Sequence, residues 1–149
     1  MSNTYLYLLI ALLAGAMMPT QAGTNNKMAT VVGSPILAAF ISFLVGTIAL
    51  FAYALLSGET LSALSDAKNA PPIAWIGGLL GAFFVAAAVT LVPRLGVAMT
   101  FSLIIAGQMI VTLLIDHFGL FGVPLKEISL VRIGGILLIT AGVVLIRKF

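Results

Sequence analysis

Residues 35–56 read PILAAFISFLVGTIALFAYALL and contain no charged side chain. A helix needs about 20 mostly apolar residues to cross the hydrocarbon core of a bilayer, and this stretch is long enough to do so. Inside lipid every backbone amide must find its hydrogen bond within the protein, which favours an α-helix for such a segment. The stretch therefore predicts a membrane-spanning helix.

Four further apolar stretches flank this one, bounded by charged residues, glycine or proline. They cover residues 4–23, 73–92, 97–115 and 130–146. We therefore predict an all-α integral membrane protein, a single domain over residues 1–149 with five transmembrane helices. A cleaved signal peptide is the alternative for the first stretch. That stretch lacks a basic leading region and four more spans follow it, which favours a true helix.

The overall composition agrees with a membrane protein and argues against several other classes. The chain is 62% hydrophobic and 7% charged, whereas soluble domains have about a quarter of their residues charged. The basic residues are scattered, which argues against a nucleic-acid-binding surface. There is no cysteine and only one histidine, so we predict no thiol chemistry, metal site or cofactor. No nucleophile and base are paired, so we predict no enzymatic activity.

The connections between the stretches differ in character. Residues 57–72 are polar and end in two prolines, which is typical of an exposed, mobile loop. Residues 93–96, PRLG, are so few that the third and fourth helices are expected to form an antiparallel hairpin. The apolar, glycine-punctuated segment HFGLFGVP at 117–124 is expected to lie in the membrane interface.

Three polar residues recur along one face of the fourth helix. Gln108, Thr112 and Asp116 are spaced four residues apart, which places them on the same side of a helix. Polar side chains facing lipid are costly, so this face is expected to meet protein or water. It is either a ladder of hydrogen bonds between helices or a face that lines a substrate path, with Asp116 as an acceptor or a proton-coupled gate.

A second polar pair lies in the first helix. Gln21 and Asn25 are also four residues apart, just after Pro19, where the missing amide and the ring are expected to bend or open the helix. Freed carbonyl groups could then bind a ligand. The alternative is a packing kink in which Gln21 bonds to a neighbouring carbonyl. We predict that substrate binds to five residues: Gln21, Asn25, Gln108, Thr112 and Asp116.

Glycines and basic residues bear on assembly. Gly135 and Gly142 are seven residues apart, which keeps them on one seam where two subunits could meet.

The basic residues are nearly balanced between the two sides of the membrane. Three of them fall on the N-terminal side of the predicted spans, namely Lys68, Lys126 and Arg132. Four fall on the opposite side, namely Lys27, Arg94, Arg147 and Lys148. This near balance leaves two alternatives: a cytoplasmic C-terminus, or dual topology with antiparallel pairing.

Four segments carry a resemblance to a known family. They are PTQAGTN at 19–25, GSPILAAFISFLVGT at 33–47, GGLLGAFFV at 77–85 and LIDHFGLFG at 114–122. Together they resemble the YdcZ family, which belongs to the drug/metabolite transporter superfamily of bacterial inner membranes. The resemblance covers nearly the whole chain. It implies a multi-pass protein of the bacterial inner membrane.

The resemblance also implies how the chain assembles and works. Ten-helix members of the superfamily consist of two inverted five-helix halves, which implies that a free five-helix chain pairs with a second copy in the opposite orientation. The last helix is similar to that of the small multidrug resistance proteins, whose dimers join through two glycines spaced as Gly135 and Gly142 are. Those proteins have a carboxylate in the first span that this chain lacks, so their proton and cation chemistry does not carry over.

The functional expectation is a secondary-active transporter of small polar metabolites or drugs. It would work as an antiparallel homodimer by alternating access, with the site near the middle of the bilayer. Two alternatives stay open, a non-transporting subunit that stabilises another membrane protein and a passive channel. A transporter should have polar residues in a cavity, whereas in a scaffold its own helices should satisfy them.

Overall fold

The computed structural model describes residues 3–148, with the side chain of Arg147 outside the description, and within that range all regular secondary structure is helical. Five α-helices follow one another, and they are α1 (Thr4–Val32), α2 (Pro35–Leu56), α3 (Pro72–Leu95), α4 (Val97–Phe118) and α5 (Leu130–Lys148). The first four are long and apolar enough to cross a membrane, whereas the apolar part of α5, Leu130–Ile146, is shorter. The all-helical membrane fold is confirmed, with four candidate spans and one shorter apolar helix.

The first helix is longer than the sequence predicted. The predicted end at Gly23 is wrong, because α1 continues to Val32. The helix also runs through Pro19 without opening there. Two polar residues beyond Gly23 are satisfied within the helix: the side chains of Thr24 and Asn26 donate to backbone carbonyls one turn back, at 2.9 and 3.0 Å. Such bonds let polar residues continue a helix.

The junction between α1 and α2 has a defined end and a defined start. Gly33 ends α1 in the left-handed conformation, with φ of 72°. The Ser34 hydroxyl then accepts a hydrogen bond from the Leu37 amide at 3.3 Å, and Pro35 takes the first helical position. Proline suits that position because its amide would have no helical partner. The predicted bounds of α2 are confirmed.

The expected four-residue turn at 93–96 is also wrong. Helix α3 continues through Pro93 and Arg94 to Leu95, and Gly96 is the one residue outside a helix before α4 begins. Proline here removes the amide that would bond to the Val89 carbonyl and weakens the last turn, and α3 ends two residues later. Gly96 has φ of 79° and ψ of 160°, a conformation that essentially only glycine adopts.

The two longer connections contain short 3-10 helices. Leu61–Asn69 forms one of them, and most of its residues are exposed, as expected for the polar segment at 57–72. Leu120–Gly122 forms the other, after Gly119 has closed α4 in the left-handed conformation. Local structure is therefore present in both segments.

The described chain divides into two compact units, one ending at Pro93 and the other starting at Arg94. In the first unit, Ala38 and Ala39 of α2 pack with Val85 and Val89 of α3 in a small buried core. Alanine at these positions lets the helix backbones approach closely. In the second unit α4 packs along α5. Much of the remaining apolar surface is exposed, as expected for helices that face lipid.

We predict opposite effects for alanine at two glycines of the first unit. Gly33→Ala should lower the free energy of unfolding by about 1 kcal/mol, because an L side chain at φ of 72° is strained. Gly46→Ala should raise it by about 0.5–1 kcal/mol, because Gly46 lies inside α2 with open space around the added methyl group. Thermal unfolding in detergent measures both. Equal effects of the two substitutions would contradict this account of the α1–α2 junction.

Candidate functional site

Asn25 is the most unusual polar residue of the first unit. It lies on α1 with only 7% of its surface exposed. Within residues 3–148, its side-chain nitrogen Nδ2 is buried and has no hydrogen-bond partner. A buried donor left unpaired costs about 1–3 kcal/mol, so natural proteins seldom retain one without a reason.

Asn25 lines a narrow crevice between α1 and α3. The walls combine apolar side chains with two amides, and the residues are Met18, Gln21, Ala22, Asn25, Phe84, Val85, Ala88 and Val89. The crevice is too narrow to admit a water molecule. Solvent therefore cannot satisfy the Asn25 amide in this conformation, and a partner can reach it only if the helices separate.

An open groove lies next to the crevice on the outer side of α1. It has a volume of about 400 Å³ and is lined by Met17, Met18, Thr20, Gln21 and Thr24. The two threonine hydroxyls donate to backbone carbonyls of their own helix at 2.9 Å. Met18 and Gln21 belong to both the groove and the crevice. These two side chains therefore form the wall that separates the open space from Asn25.

Gln21 also links α1 to α2. Its side-chain nitrogen Nε2 donates to the Ser42 hydroxyl at 3.4 Å, near the upper limit for a hydrogen bond. This contact is long and exposed, and it can be exchanged for a bond to a ligand at little cost. The alternative in which Gln21 bonds to a neighbouring carbonyl is wrong in its acceptor, which is the Ser42 hydroxyl of α2.

The second unit holds the other predicted site residues, and it brings two of the three together. Thr112 and Asp116 of α4 line a groove of about 240 Å³ against α5, together with Met109, Leu113, Arg132, Gly135, Ile136 and Ile139. Gln108 does not line this groove. Its side chain is exposed, and in the described part of the chain it has no hydrogen-bond partner. The four-residue periodicity therefore does not place all three in one cavity of this unit.

The carboxylate of Asp116 forms an ion pair. Arg132 Nη1 lies 3.2 Å from Asp116 Oδ2, and about a third of each side chain is exposed. The same guanidinium nitrogen donates to the Lys126 carbonyl at 3.4 Å, and the Lys126 amide donates to the Asp116 carbonyl at 2.8 Å. The connection between α4 and α5 is thus tied to the end of α4. Because Arg132 neutralises this charge, Asp116 is not an isolated acceptor.

Sequence reasoning missed the partners Ser42 and Arg132. Arg132 was visible as a charge within an apolar stretch, on the same predicted membrane side as the end of the fourth helix. A charge in such a place needs a nearby counter-charge, and Asp116 was the available one. Ser42 gave no comparable signal, because a serine hydroxyl inside a membrane helix can bond to its own backbone.

The two glycines of the predicted dimer seam both lie next to open space. A methyl group added at Gly135 or at Gly142 would meet no protein atom within 4 Å among the described residues. Gly135 borders the groove between α4 and α5. The seam between subunits stays a prediction.

Comparison with known proteins assigns the chain to a family. The profile described as "Putative inner membrane exporter, YdcZ" matches residues 6–145. The chain belongs to the YdcZ family. Its YdcZ relatives include the Inner membrane protein YdcZ of Escherichia coli (strain K12), which is 37% identical over 73 residues, a match that covers 49% of this chain and 49% of the relative. The chain thus spans about half the length of the curated relative it matches. No solved structure matches the chain.

Membership of the YdcZ family confirms the predicted location and bears on the predicted activity. The chain is a multi-pass protein of the inner membrane, in agreement with its apolar helices. The family description supports a role in transport in preference to catalysis. The predicted substrate-binding residues stay predictions.

We predict that Asn25→Leu stabilises the folded protein. Leucine has the same branching and the same number of side-chain heavy atoms as asparagine and removes the unpaired donor, so the free energy of unfolding should rise by about 1 kcal/mol or more. The matched control is Asn26→Leu. The Asn26 side chain already donates to the Ala22 carbonyl at 3.0 Å, so no such gain is expected. Thermal unfolding of both variants measures the difference, and a clear loss of stability in Asn25→Leu would show that the amide is paired.

Proposed function

We propose that this member of the YdcZ family exports a small polar metabolite or drug, and that Asn25 and Gln21 bind it. The observation that carries the proposal is the buried, unpaired amide of Asn25. A donor that its own fold leaves unsatisfied, at the depth of a membrane-spanning helix, can be satisfied by a ligand that carries an acceptor. The family description as an inner membrane exporter agrees with such a ligand site.

The relation of crevice to groove supports alternating access. The groove beside α1 is open, and the crevice that contains Asn25 is closed to a water molecule. Movement of α1 away from α3 would connect the two spaces, because Met18 and Gln21 form their common wall. A solute in the groove would then replace Ser42 as the partner of Gln21 and reach Asn25. The described conformation is the occluded one in this scheme.

The lining of these spaces limits the chemistry of the cargo. None of the residues that line the groove or the crevice carries a charge, and the polar groups are amides and hydroxyls. Two methionines and Phe84 supply apolar surface beside them. An ion would have no counter-charge there, and its desolvation would be costly. We therefore propose a neutral solute, or one with internally balanced charges, that has at least one hydrogen-bond acceptor.

We further propose that the transporter is an antiparallel homodimer. The near balance of basic residues on the two sides supports insertion in both orientations. Gln108 also supports a dimer. Its exposed amide lies near the middle of a candidate membrane span, where it needs a polar neighbour, and residues 3–148 provide none. A partner subunit or the solute would supply one. Gly135 and Gly142 are the proposed contact between subunits.

A non-transporting scaffold is the competing function. The bond from Gln21 to Ser42 is what a scaffold requires, since its own helices satisfy the polar side chain. Asn25 favours transport because the helices described here leave it unpaired.

Ligand binding by the wild-type protein distinguishes these functions. We expect at least one compound in a panel of neutral sugars, zwitterionic amino acids and uncharged amides to raise the melting temperature of the purified protein, because a ligand of the folded state stabilises it. Asn25→Leu should weaken binding of that compound by about 0.5–1.5 kcal/mol or more, the value of a hydrogen bond. Isothermal titration of the compound measures the affinity.

Two further variants serve as controls for binding. Asn26→Leu should bind like the wild type, because the Asn26 amide is already paired within α1. Gln108→Ala should lose affinity if the partner of Gln108 is the solute, and should lose dimer instead if the partner is a second subunit. Unchanged affinity in Asn25→Leu, despite a folded protein, would move the binding site away from the crevice.

Membrane orientation can be determined by labelling single introduced cysteines, because the chain has no native cysteine. We expect Ser65→Cys, in the exposed 3-10 helix between α2 and α3, to react with a membrane-impermeant maleimide from both sides of the membrane in similar amounts. Labelling from one side alone would exclude dual topology. A variant with two lysines added at the C-terminus is the control, since it should shift labelling towards one side.

A further inference from the structure

The groove between α4 and α5 has a polar end and an apolar remainder. Asp116 lies two residues before the end of α4 and Arg132 two residues after the start of α5, so both charges lie at the same end of the helix pair. Thr112 and Gly135 follow about one helical turn further in. The remaining lining residues are apolar, namely Met109, Leu113, Ile136 and Ile139. In a membrane, the charged end therefore lies at the headgroups and the apolar part in the hydrocarbon.

The ion pair leaves hydrogen-bonding capacity unused. The guanidinium group of arginine has five donors in a planar fork, and Arg132 uses a single nitrogen, Nη1, for both Asp116 and the Lys126 carbonyl. In residues 3–148, neither Arg132 Nη2 nor Asp116 Oδ1 has a partner. Both side chains are about a third exposed, so a molecule arriving from the membrane can reach them. The charged end thus presents one donor group and one acceptor group side by side.

The position of Arg132 is fixed by its surroundings. The Ser129 hydroxyl accepts from the Arg132 amide at 3.3 Å, which caps the start of α5. The bond from the Lys126 amide to the Asp116 carbonyl holds the preceding segment against α4 at 2.8 Å. These bonds fix the backbone, and the guanidinium group itself is held by its bonds to the Asp116 carboxylate and the Lys126 carbonyl. It therefore loses little further freedom when it binds a ligand, which favours binding.

We propose that this groove binds one aminophospholipid of the surrounding membrane. The lipid phosphate accepts from the free guanidinium nitrogen of Arg132, and its ammonium group donates to Asp116 Oδ1. Arginine is well suited to phosphate because its donors form parallel bonds to two oxygens. One acyl chain lies along the apolar wall past Gly135, where the missing side chain leaves room. The site shares no lining residue with the Asn25 crevice and does not rest on the proposed transport function. It competes with the subunit contact proposed at Gly135, which borders this groove, and leaves Gly142 for that contact.

The charge pattern favours a lipid over a second copy of the chain in this groove. In an antiparallel pair, the partner's ends that carry Lys27, Arg94 and Lys148 lie at this membrane surface, and they bring no acidic side chain to the free guanidinium nitrogen of Arg132. An aminophospholipid brings a phosphate and an ammonium group to the same depth as the two side chains.

Native mass spectrometry of the full-length, detergent-purified protein tests the proposal. Dioleoyl phosphatidylethanolamine, phosphatidylglycerol and phosphatidylcholine are titrated separately. We expect one phosphatidylethanolamine per chain to bind at least about tenfold more tightly than the other two, because phosphatidylglycerol lacks the ammonium group and phosphatidylcholine cannot donate from it. Equal affinity for all three lipids would overturn the proposal.

Two variants test the contacts of the headgroup and of the acyl chain separately. Arg132→Gln should weaken binding of phosphatidylethanolamine by about tenfold, the effect of a lost charge-assisted bond. Gly135→Leu keeps both charges and fills the groove, so it should also weaken binding. Gly134→Leu is its matched control, with the same added volume at a residue that does not line the groove, and should bind like the wild type. If Gly135→Leu binds as tightly as Gly134→Leu, no acyl chain lies in the groove.

A soluble headgroup and a second subunit are the remaining occupants to test. Free phosphoethanolamine should fail to displace the lipid at equal concentration, because it lacks the acyl chain. Displacement would show that the site takes a soluble ion and would overturn the lipid assignment. Chemical crosslinking of the same samples reports the dimer. If the wild type binds no lipid and Gly135→Leu loses the dimer while Gly134→Leu keeps it, the groove is a subunit interface instead.

Discussion

The hydrocarbon core of a bilayer offers no hydrogen bonds, and this constraint governs the placement of every polar atom in the chain. Most hydroxyl groups in the helices meet it locally. The side chains of Thr47, Thr90 and Thr140 each donate to the carbonyl one turn earlier, at 2.7–2.9 Å. These bonds satisfy the hydroxyl donors within their own helices. The amides of Asn25 and Gln108 are different because they have no such bond in the described chain, and this difference marks them as candidate contacts for a ligand or a partner.

The same constraint explains why the helices can be predicted from the sequence and several of their ends cannot. Apolar length and the Gly33-Ser34-Pro35 break are sufficient to set the position of α2. The end of α1 is harder to predict because Thr24 and Asn26 look like loop residues by composition, whereas their side chains bond back to the helix. Pro93 misleads for a related reason. Proline removes one helical bond without always ending the helix at the residue before it, and α3 continues for two residues beyond Pro93.

The candidate site shows a similar division. Periodicity placed Gln21 and Asn25 on neighbouring turns and correctly put them close together. It could not show that one of them is exposed and bonded while the other is buried and unpaired, since that depends on how closely α3 packs against α1. Likewise Thr112 and Asp116 share a groove, yet the ion pair with Arg132 arises from the connection at 119–129, whose conformation depends on left-handed residues at Gly119, Phe121 and Gly122. Side-chain partners far apart in sequence are not encoded in a helical repeat.

The length of α1 links the protein to the thickness of its membrane. A helix of 29 residues is about 43 Å long at 1.5 Å per residue, whereas the hydrocarbon core is about 30 Å thick. The helix must therefore tilt, or extend its Lys27 end into the headgroups, and the tilt depends on the lipid around it. Because α1 carries one wall of the Asn25 crevice, the helix that must adapt to bilayer thickness is also a helix that lines the candidate site. The acyl-chain length of the membrane is thus a physical variable that acts on a wall of the crevice without touching any residue in it.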